Sequence, residues 1–340
     1  MITGSNIQRI SPTQPGKQVL VVIGMHRSGT SATTGALECL GVQLGKKLYS
    51  GHQDINAKGY FEHSDIADAN EDILRSLGTA WDDVLLKESG WWEREELRPY
   101  ALRIRQYIRR DFSRSQLWAV KDPRVCRLLP LWLEIFAAEG ISPHFLFVVR
   151  SPDAVYRSLE RRDGFSREKS FLLWLVHYLE AERGSRGYPR AFAMFDQFLE
   201  NPVNELLRIE QQLGLRFPMA VESVASCLNQ FLSKDMRHYQ ESAQKGASTP
   251  ITALADELES RLEQAARMTA TRQSDINTDD LWQQMEDIQH GFPAVLIEHL
   301  RSVSRHRGQT ELTMHRMWRS WSRYTGKPVR FLERLFGRDV

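Results

Sequence analysis

Arg27, Ser28, Gly29, Thr30 and Ser31 are the densest group of anion-binding residues in the chain. They close the octet Gly24-Met-His-Arg-Ser-Gly-Thr-Ser31. Two glycines at this spacing let a loop wrap a phosphate-type group with backbone N–H donors, while Thr30 and Ser31 add hydroxyls. A loop built for a magnesium-bound triphosphate carries Lys directly after its second glycine. Here that position is Thr30, and the cation is Arg27, inside the loop. The octet therefore suits a different phosphate-type anion. Three more places carry chemistry: Glu62-His63, Lys121-Asp122-Pro123-Arg124, and Arg150 with Ser158 eight residues on. Glu62, His63 and Asp122 are each able to take a proton.

The elements that must hold these residues follow from periodicity. Lys17 to Ile23 is a short apolar, β-branched run, the pattern of a buried strand. It leads into the octet, and Ala32, Ala36, Leu37 and Leu40 then recur at helical spacing up to Gly41. Leu117–Val120 and His144–Val149 predict two more strands, ending at Lys121 and Arg150. Ser151-Pro152-Asp153 reads as a helix start, with Ser as N-cap, Pro at the first helical position and Asp in the first turn. A helix over Phe165–Arg183, a strand over Ala191–Phe195 and a helix from Asn201-Pro202 complete the alternation. Alternating strands and helices predict an α/β fold: a P-loop-type parallel sheet flanked by helices. From about residue 250 the pattern is helical only, with Leu254, Leu258 and Leu262 four apart. The expected organisation is a flexible N-terminus over 1–16, one domain over 17–248, and a helical extension over 249–340 ending in a basic, aromatic tail.

Composition bounds the function. The chain has 340 residues, 41% hydrophobic and 26% charged, as a globular protein would. No apolar run approaches the length of a membrane span, and residues 1–16 lack the apolar core of a signal peptide. Cys39, Cys126 and Cys227 are few and far apart. They read as three free, buried thiols in a reducing compartment, with neither a disulfide framework nor a metal-ligand cluster. No metal site is expected. The net charge of +2 hides an asymmetry, because from Arg301 onward there are ten Lys/Arg against three Asp/Glu. Residues 315–338 interleave Arg with Trp, Tyr and Phe, which fits either a helix docked on the body or one lying on a membrane surface. No nucleic-acid partner is expected, and the location is read as cytoplasmic, with the inner membrane face as the place of any peripheral contact.

With these residues in view, the sequence resembles the superfamily of sulfotransferases that use 3'-phosphoadenosine-5'-phosphosulfate (PAPS) and release 3'-phosphoadenosine-5'-phosphate (PAP). Arg27-Ser28-Gly29-Thr30-Ser31 looks like the family's 5'-phosphosulfate loop. Arg150 with Ser158 looks like its 3'-phosphate motif. Gly41-Val-x-Leu-Gly45, Asn56-x-x-Gly59-Tyr60-Phe61-Glu62, Trp118-x-x-Lys121-Asp122-Pro123-Arg124, and Phe195-Asp196 through Asn201-Pro202 are similar to bacterial members associated with cell-surface glycans. The likeness covers roughly residues 18–240. It departs at Ala32, where many cytosolic members carry a Trp that packs on the donor.

The resemblance implies transfer of a sulfuryl group to a hydroxyl of a glycan or glycolipid. It places Ser28, Gly29, Thr30 and Ser31 around the 5'-phosphosulfate, Arg27 on the leaving oxygen, and Arg150 and Ser158 on the 3'-phosphate. Glu62 is implied as the general base, with His63 and Asp122 as alternatives. Lys121 either reaches the transferring group or joins a structural ion pair with Asp122 and Arg124. Arg237-His238 is implied to close over the donor or the acceptor, and Lys245, with Gly246, to be a late basic contact to the 3'-phosphate. Competing readings are a P-loop nucleotide kinase or NTPase, against which Thr30 counts, and a non-catalytic nucleotide-binding module.

Overall fold

In the computed structural model, residues 17–49, 60–232, 248–268 and 276–291 are described. Four apolar runs form strands: β1 (Gln18–Ile23), β2 (Leu117–Lys121), β3 (Ser142–Val149) and β4 (Arg190–Met194). They pair in parallel in the order β2-β1-β3-β4. Parallel strands are covered on both faces, so both sets of alternating side chains must be apolar. In β1, Val19, Val21 and Ile23 enter one core with Phe145, Phe147 and Val149 of β3. Leu20 and Val22 enter the other, with Leu146 and Val148.

The first face is covered by α4 (Val125–Glu139), α6 (Arg167–Gly184) and α10 (Pro250–Arg267). The second is covered by α1 (Thr30–Cys39), α8 (Pro202–Leu213) and α9 (Ala225–Phe231). The first core also takes in α2 (Ser64–Ser76) and α3 (Arg98–Phe112). The remaining helices are α5 (Pro152–Asp163), α7 (Phe195–Glu200) and α11 (Asp279–His290). The architecture is thus an α/β sheet of the P-loop type flanked by helices.

The strand order places the site. From β1 the chain goes to β2 on one side, then returns past β1 to β3 on the other. Ligands in such sheets bind beyond the strand C-termini at this reversal. Ile23 pairs with Phe147, so the loop after Ile23 and Arg150 emerge side by side.

Local signals set most boundaries. Pro152 does start α5 after Ser151, although the Ser151 side chain makes no capping bond. Ser166 caps α6, and Thr249 and Thr252 form a capping box at α10. The core does not divide at 248–249. Leu254, Leu258 and Leu262 of α10 are buried in the same cluster as Trp174 and Phe192.

One cysteine expectation is overturned. Cys39 and Cys227 form a disulfide with their Cα atoms 6.1 Å apart, and only Cys126 is a free, buried thiol. The pair is 188 residues apart in sequence, so only the docking of α9 on α1 reveals it. The cysteine argument for a reducing compartment falls with it. No helix among the described residues is long and apolar enough to cross a membrane. Residues 1–16, Asn56, Gly59, Arg237, His238, Lys245 and the 315–338 tail lie outside the described residues.

Leu258 is fully buried between α10 and the sheet. Leu258→Ala is expected to cost about 2–5 kcal/mol in chemical denaturation, the range for a truncated core leucine. An unchanged midpoint would mean that α10 does not belong to this core.

Candidate active site

The octet connects β1 to α1, so the first-turn N–H groups of α1, which have no intrahelical acceptor, face the crevice together with the positive end of the helix dipole. Gly29 permits this path. Its φ is 90°, and a Cβ there would lie 2.1 Å from the Phe195 ring. The base of the loop is pinned from β3 and α6. The Tyr178 hydroxyl donates to the Val148 carbonyl at 2.6 Å and lies 3.1 Å from Ser28 Oγ. Ser28 and Thr30 are buried by this packing, and Ser31 is half-buried.

Arg27 is one of two non-glycine residues with positive φ among those described, at 70°. Its side chain leaves the loop toward α5, where Nε donates to Ser158 Oγ at 2.7 Å. Arg150, at the end of β3, donates from Nη1 to the Arg27 carbonyl oxygen at 3.2 Å. Arg150 also lies over the Phe195 ring, 5.4 Å from its centre, and its own carbonyl accepts from Trp174 Nε1. The two anion-binding motifs, more than 120 residues apart in sequence, are therefore in direct contact. Burial, followed by repulsion from Arg162 and Arg150, pulls the Arg27 pKa below its usual value. The guanidinium stays charged, so the arrangement suits an anionic ligand.

Lys121, at the end of β2, is 4% exposed. Its ammonium donates to Glu62 Oε1 at 2.8 Å, to the Tyr60 carbonyl at 2.9 Å and to Ser31 Oγ at 3.1 Å. All three ammonium protons are thus engaged. Ser31 Oγ also lies 3.2 Å from the Tyr60 carbonyl. The structure brings Glu62, Lys121 and the first turn of α1 together. It sends Arg27 Nε toward Ser158, and the ammonium that touches that first turn is Lys121, which the sequence had left open between two roles.

The alternative bases are engaged elsewhere. His63 is buried with Nε2 2.7 Å from Asp111 Oδ2, against Phe112 of α3. Asp111 is held at about 2, first by hydrogen bonds from Arg110 and then by His63. Asp122 is almost fully buried and accepts from Asn70 Nδ2, the Arg124 backbone N–H and Arg124 Nη1, at 2.9, 2.9 and 3.1 Å. Asn70 in turn accepts from Trp132 Nε1. Asp122 thus fixes the start of α4 and aims Arg124, whose Nε reaches Glu71.

Sequence reasoning missed an aromatic wall beside the loop. His26 packs at 4.4 Å on Trp81, and Trp81 stacks on Phe165 at 5.8 Å. Arg162 lies over Trp81 at 5.3 Å. Burial, then the charges of Arg162, Arg124, His177 and Lys121, push the His26 pKa far down and keep it neutral. Arg162 lies in the last turn of α5, four residues after Ser158. That spacing was the available signal, since residues four apart share a helix face.

No protein-family model matches the chain, and no curated protein matches it. Among solved structures, the fold resembles the sulfotransferase domain of the olefin synthase from Synechococcus PCC 7002. That match has a TM-score of 0.42 and 16% identity, covering 74% of this chain and 98% of that domain.

The hydrogen bonds of Asp122 predict a structural effect. Asp122→Ala strands Asn70 and Arg124 in a buried place and is expected to cost about 1–3 kcal/mol or more. Urea denaturation measures this. Full stability in that variant would return Asp122 to the list of candidate bases.

Proposed function

We propose that the protein is a sulfotransferase that uses PAPS and modifies a hydroxyl of a carbohydrate, in a glycan or glycolipid. One observation carries the reading: the Arg27 loop and the Arg150–Ser158 pair touch each other at the ends of neighbouring strands. A single nucleotide with phosphates at both ends of its ribose can therefore engage both. The donor set fits such a ligand. Backbone N–H groups and the Thr30 and Ser31 hydroxyls suit a 5'-phosphate, and Arg150, Ser158 and Arg27 suit a 3'-phosphate. Thr30, standing where a triphosphate loop has Lys, disfavours the kinase alternative.

When bound, PAPS supplies the sulfuryl group and a good leaving group for in-line displacement, whose loose transition state builds charge on the bridging oxygen. Glu62 accepts the proton of the attacking hydroxyl. Lys121 is the cation placed to meet the charge on the leaving oxygen, because it already touches Ser31 in the first turn of α1. The two roles are linked. In the resting site the Glu62 carboxylate holds Lys121 at 2.8 Å. Once Glu62 takes up the proton it is neutral, its hold weakens, and the ammonium is released toward the leaving oxygen. Arg27 is assigned to the 3'-phosphate side, where its Nε points.

Calorimetry with PAP, followed by labelled-sulfate transfer to a panel of glycans and glycolipids, tests this. PAP is expected to bind at micromolar affinity and to be lost in Arg150→Ala. Arg27→Ala should weaken PAP binding and raise the donor KM. Glu62→Gln should keep PAP affinity, Lys121→Met should weaken it, and both should lose turnover by roughly 10²-fold or more, the scale of one transition-state group. Tight binding of magnesium-ATP without a response to PAP would favour the kinase reading. No nucleotide binding at all would leave a non-catalytic module.

A further inference from the structure

We infer that Phe231, moored by the Cys39–Cys227 disulfide, is a positioning residue for the Glu62–Lys121 pair, so that reducing this disulfide slows transfer. The inference rests on the reading above that Glu62 and Lys121 carry the chemistry.

The mooring is a seam between two helices. Cys227 and Phe231 are four residues apart on α9, and Gly35 and Cys39 are four apart on α1. Each pair therefore shares a helix face. The sulfur bridge joins one end of the seam, and the Phe231 ring lies on Gly35 at the other. A Cβ added at Gly35 would stand 2.2 Å from that ring, so only glycine admits it. Phe231 is in turn edge-on to Phe61, with ring centres 5.8 Å apart and planes at 84°, a favourable aromatic geometry.

Phe61 is the hinge point. Its φ of 57° is uncommon for a bulky side chain and persists only where surrounding packing enforces it. The residues on either side of Phe61 hold Lys121: the Tyr60 carbonyl at 2.9 Å and the Glu62 carboxylate at 2.8 Å. If the Phe61 ring loses its neighbour, this backbone relaxes and two of the three Lys121 acceptors move.

The disulfide is the covalent tie of α9 to α1, beside the packing of Leu228 and of the flanking Val224 and Leu232 in the second core. The helix spans seven residues, and Leu228 is its one buried side chain. Helices this short do not persist on their own propensity. The bridge is also within reach of solvent, since Cys227 is exposed and Cys39 half-buried. A dithiol reductant gives two electrons and two protons, the S–S bond becomes two thiols, and the reductant closes to its own disulfide. Cys126 is already a free thiol, so the reductant leaves it unchanged.

The test places 4-fluorophenylalanine at position 61 of the full-length protein and records its fluorine NMR signal before and after dithiothreitol. Sulfate-transfer kinetics and a thermal melt are measured on the same samples. On reduction, and in Cys227→Ser, the Phe61 signal is expected to shift while the protein remains folded. Turnover should fall by roughly tenfold or more, with the donor KM within about twofold, as misplacement of reacting groups would produce. Phe231→Ala in the oxidised protein should do the same, and Phe231→Leu should recover part of the rate. An unmoved Phe61 signal overturns the inference, as does a moved signal with unchanged turnover. If the oxidised wild type transfers sulfate to no acceptor, the functional reading fails separately. The Phe61 signal then decides the mechanical link alone: a shift supports it and no shift overturns it.

Discussion

The register of β1 against β3 is the constraint on which the site depends. With Ile23 paired to Phe147, the loop after β1 and the arginine ending β3 are delivered to the same crevice, and Arg150 bonds the backbone of Arg27. A slip of one residue would exchange the faces of every β1 side chain, moving Val19, Val21 and Ile23 from one core to the other. Two fully apolar faces hold that register, so the cations are placed by core packing and not by their own attractions. Burial first, and then repulsion from Arg162 and Arg150, work against the arrangement and pull the Arg27 pKa down.

The opposite wall is built differently. Lys121 reaches the first turn of α1 from β2, and its charge is balanced by Glu62, which the chain delivers just before α2. A buried ammonium without such a partner would carry a large desolvation cost. Glu62 is the carboxylate that meets Lys121, while Asp122 and Glu71 are taken by Arg124, and Asp163 by Arg162. A carboxylate paired with a buried ammonium suits chemistry in which a proton leaves the acceptor as negative charge grows on the leaving group.

Much of this was legible in the sequence. The four apolar runs, the glycine-bounded loop, the Pro152 helix start, and Arg150 with Ser158 all depend on local pattern, and each lies where the spacing predicts. What sequence could not give were directions and distant pairings. Arg27 aims at Ser158 because its backbone is left-handed, and a sequence does not print φ. His63 stands next to Glu62 yet is drawn to Asp111, because the packing of α2 on α3 brings a carboxylate 48 residues away against it. The Cys39–Cys227 bond was hidden in the same way, since 188 residues separate two cysteines that each read as a lone buried thiol. The helical run from 250 looked like an addition, because periodicity reports an amphipathic face without naming what covers it.

The most direct test is a crystal structure of the protein with PAP. The account predicts one molecule spanning the crevice, its 5'-phosphate against residues 28–31 and its 3'-phosphate against Arg150 and Ser158. PAP bound with only one phosphate in this crevice, or bound elsewhere on the protein, would contradict it.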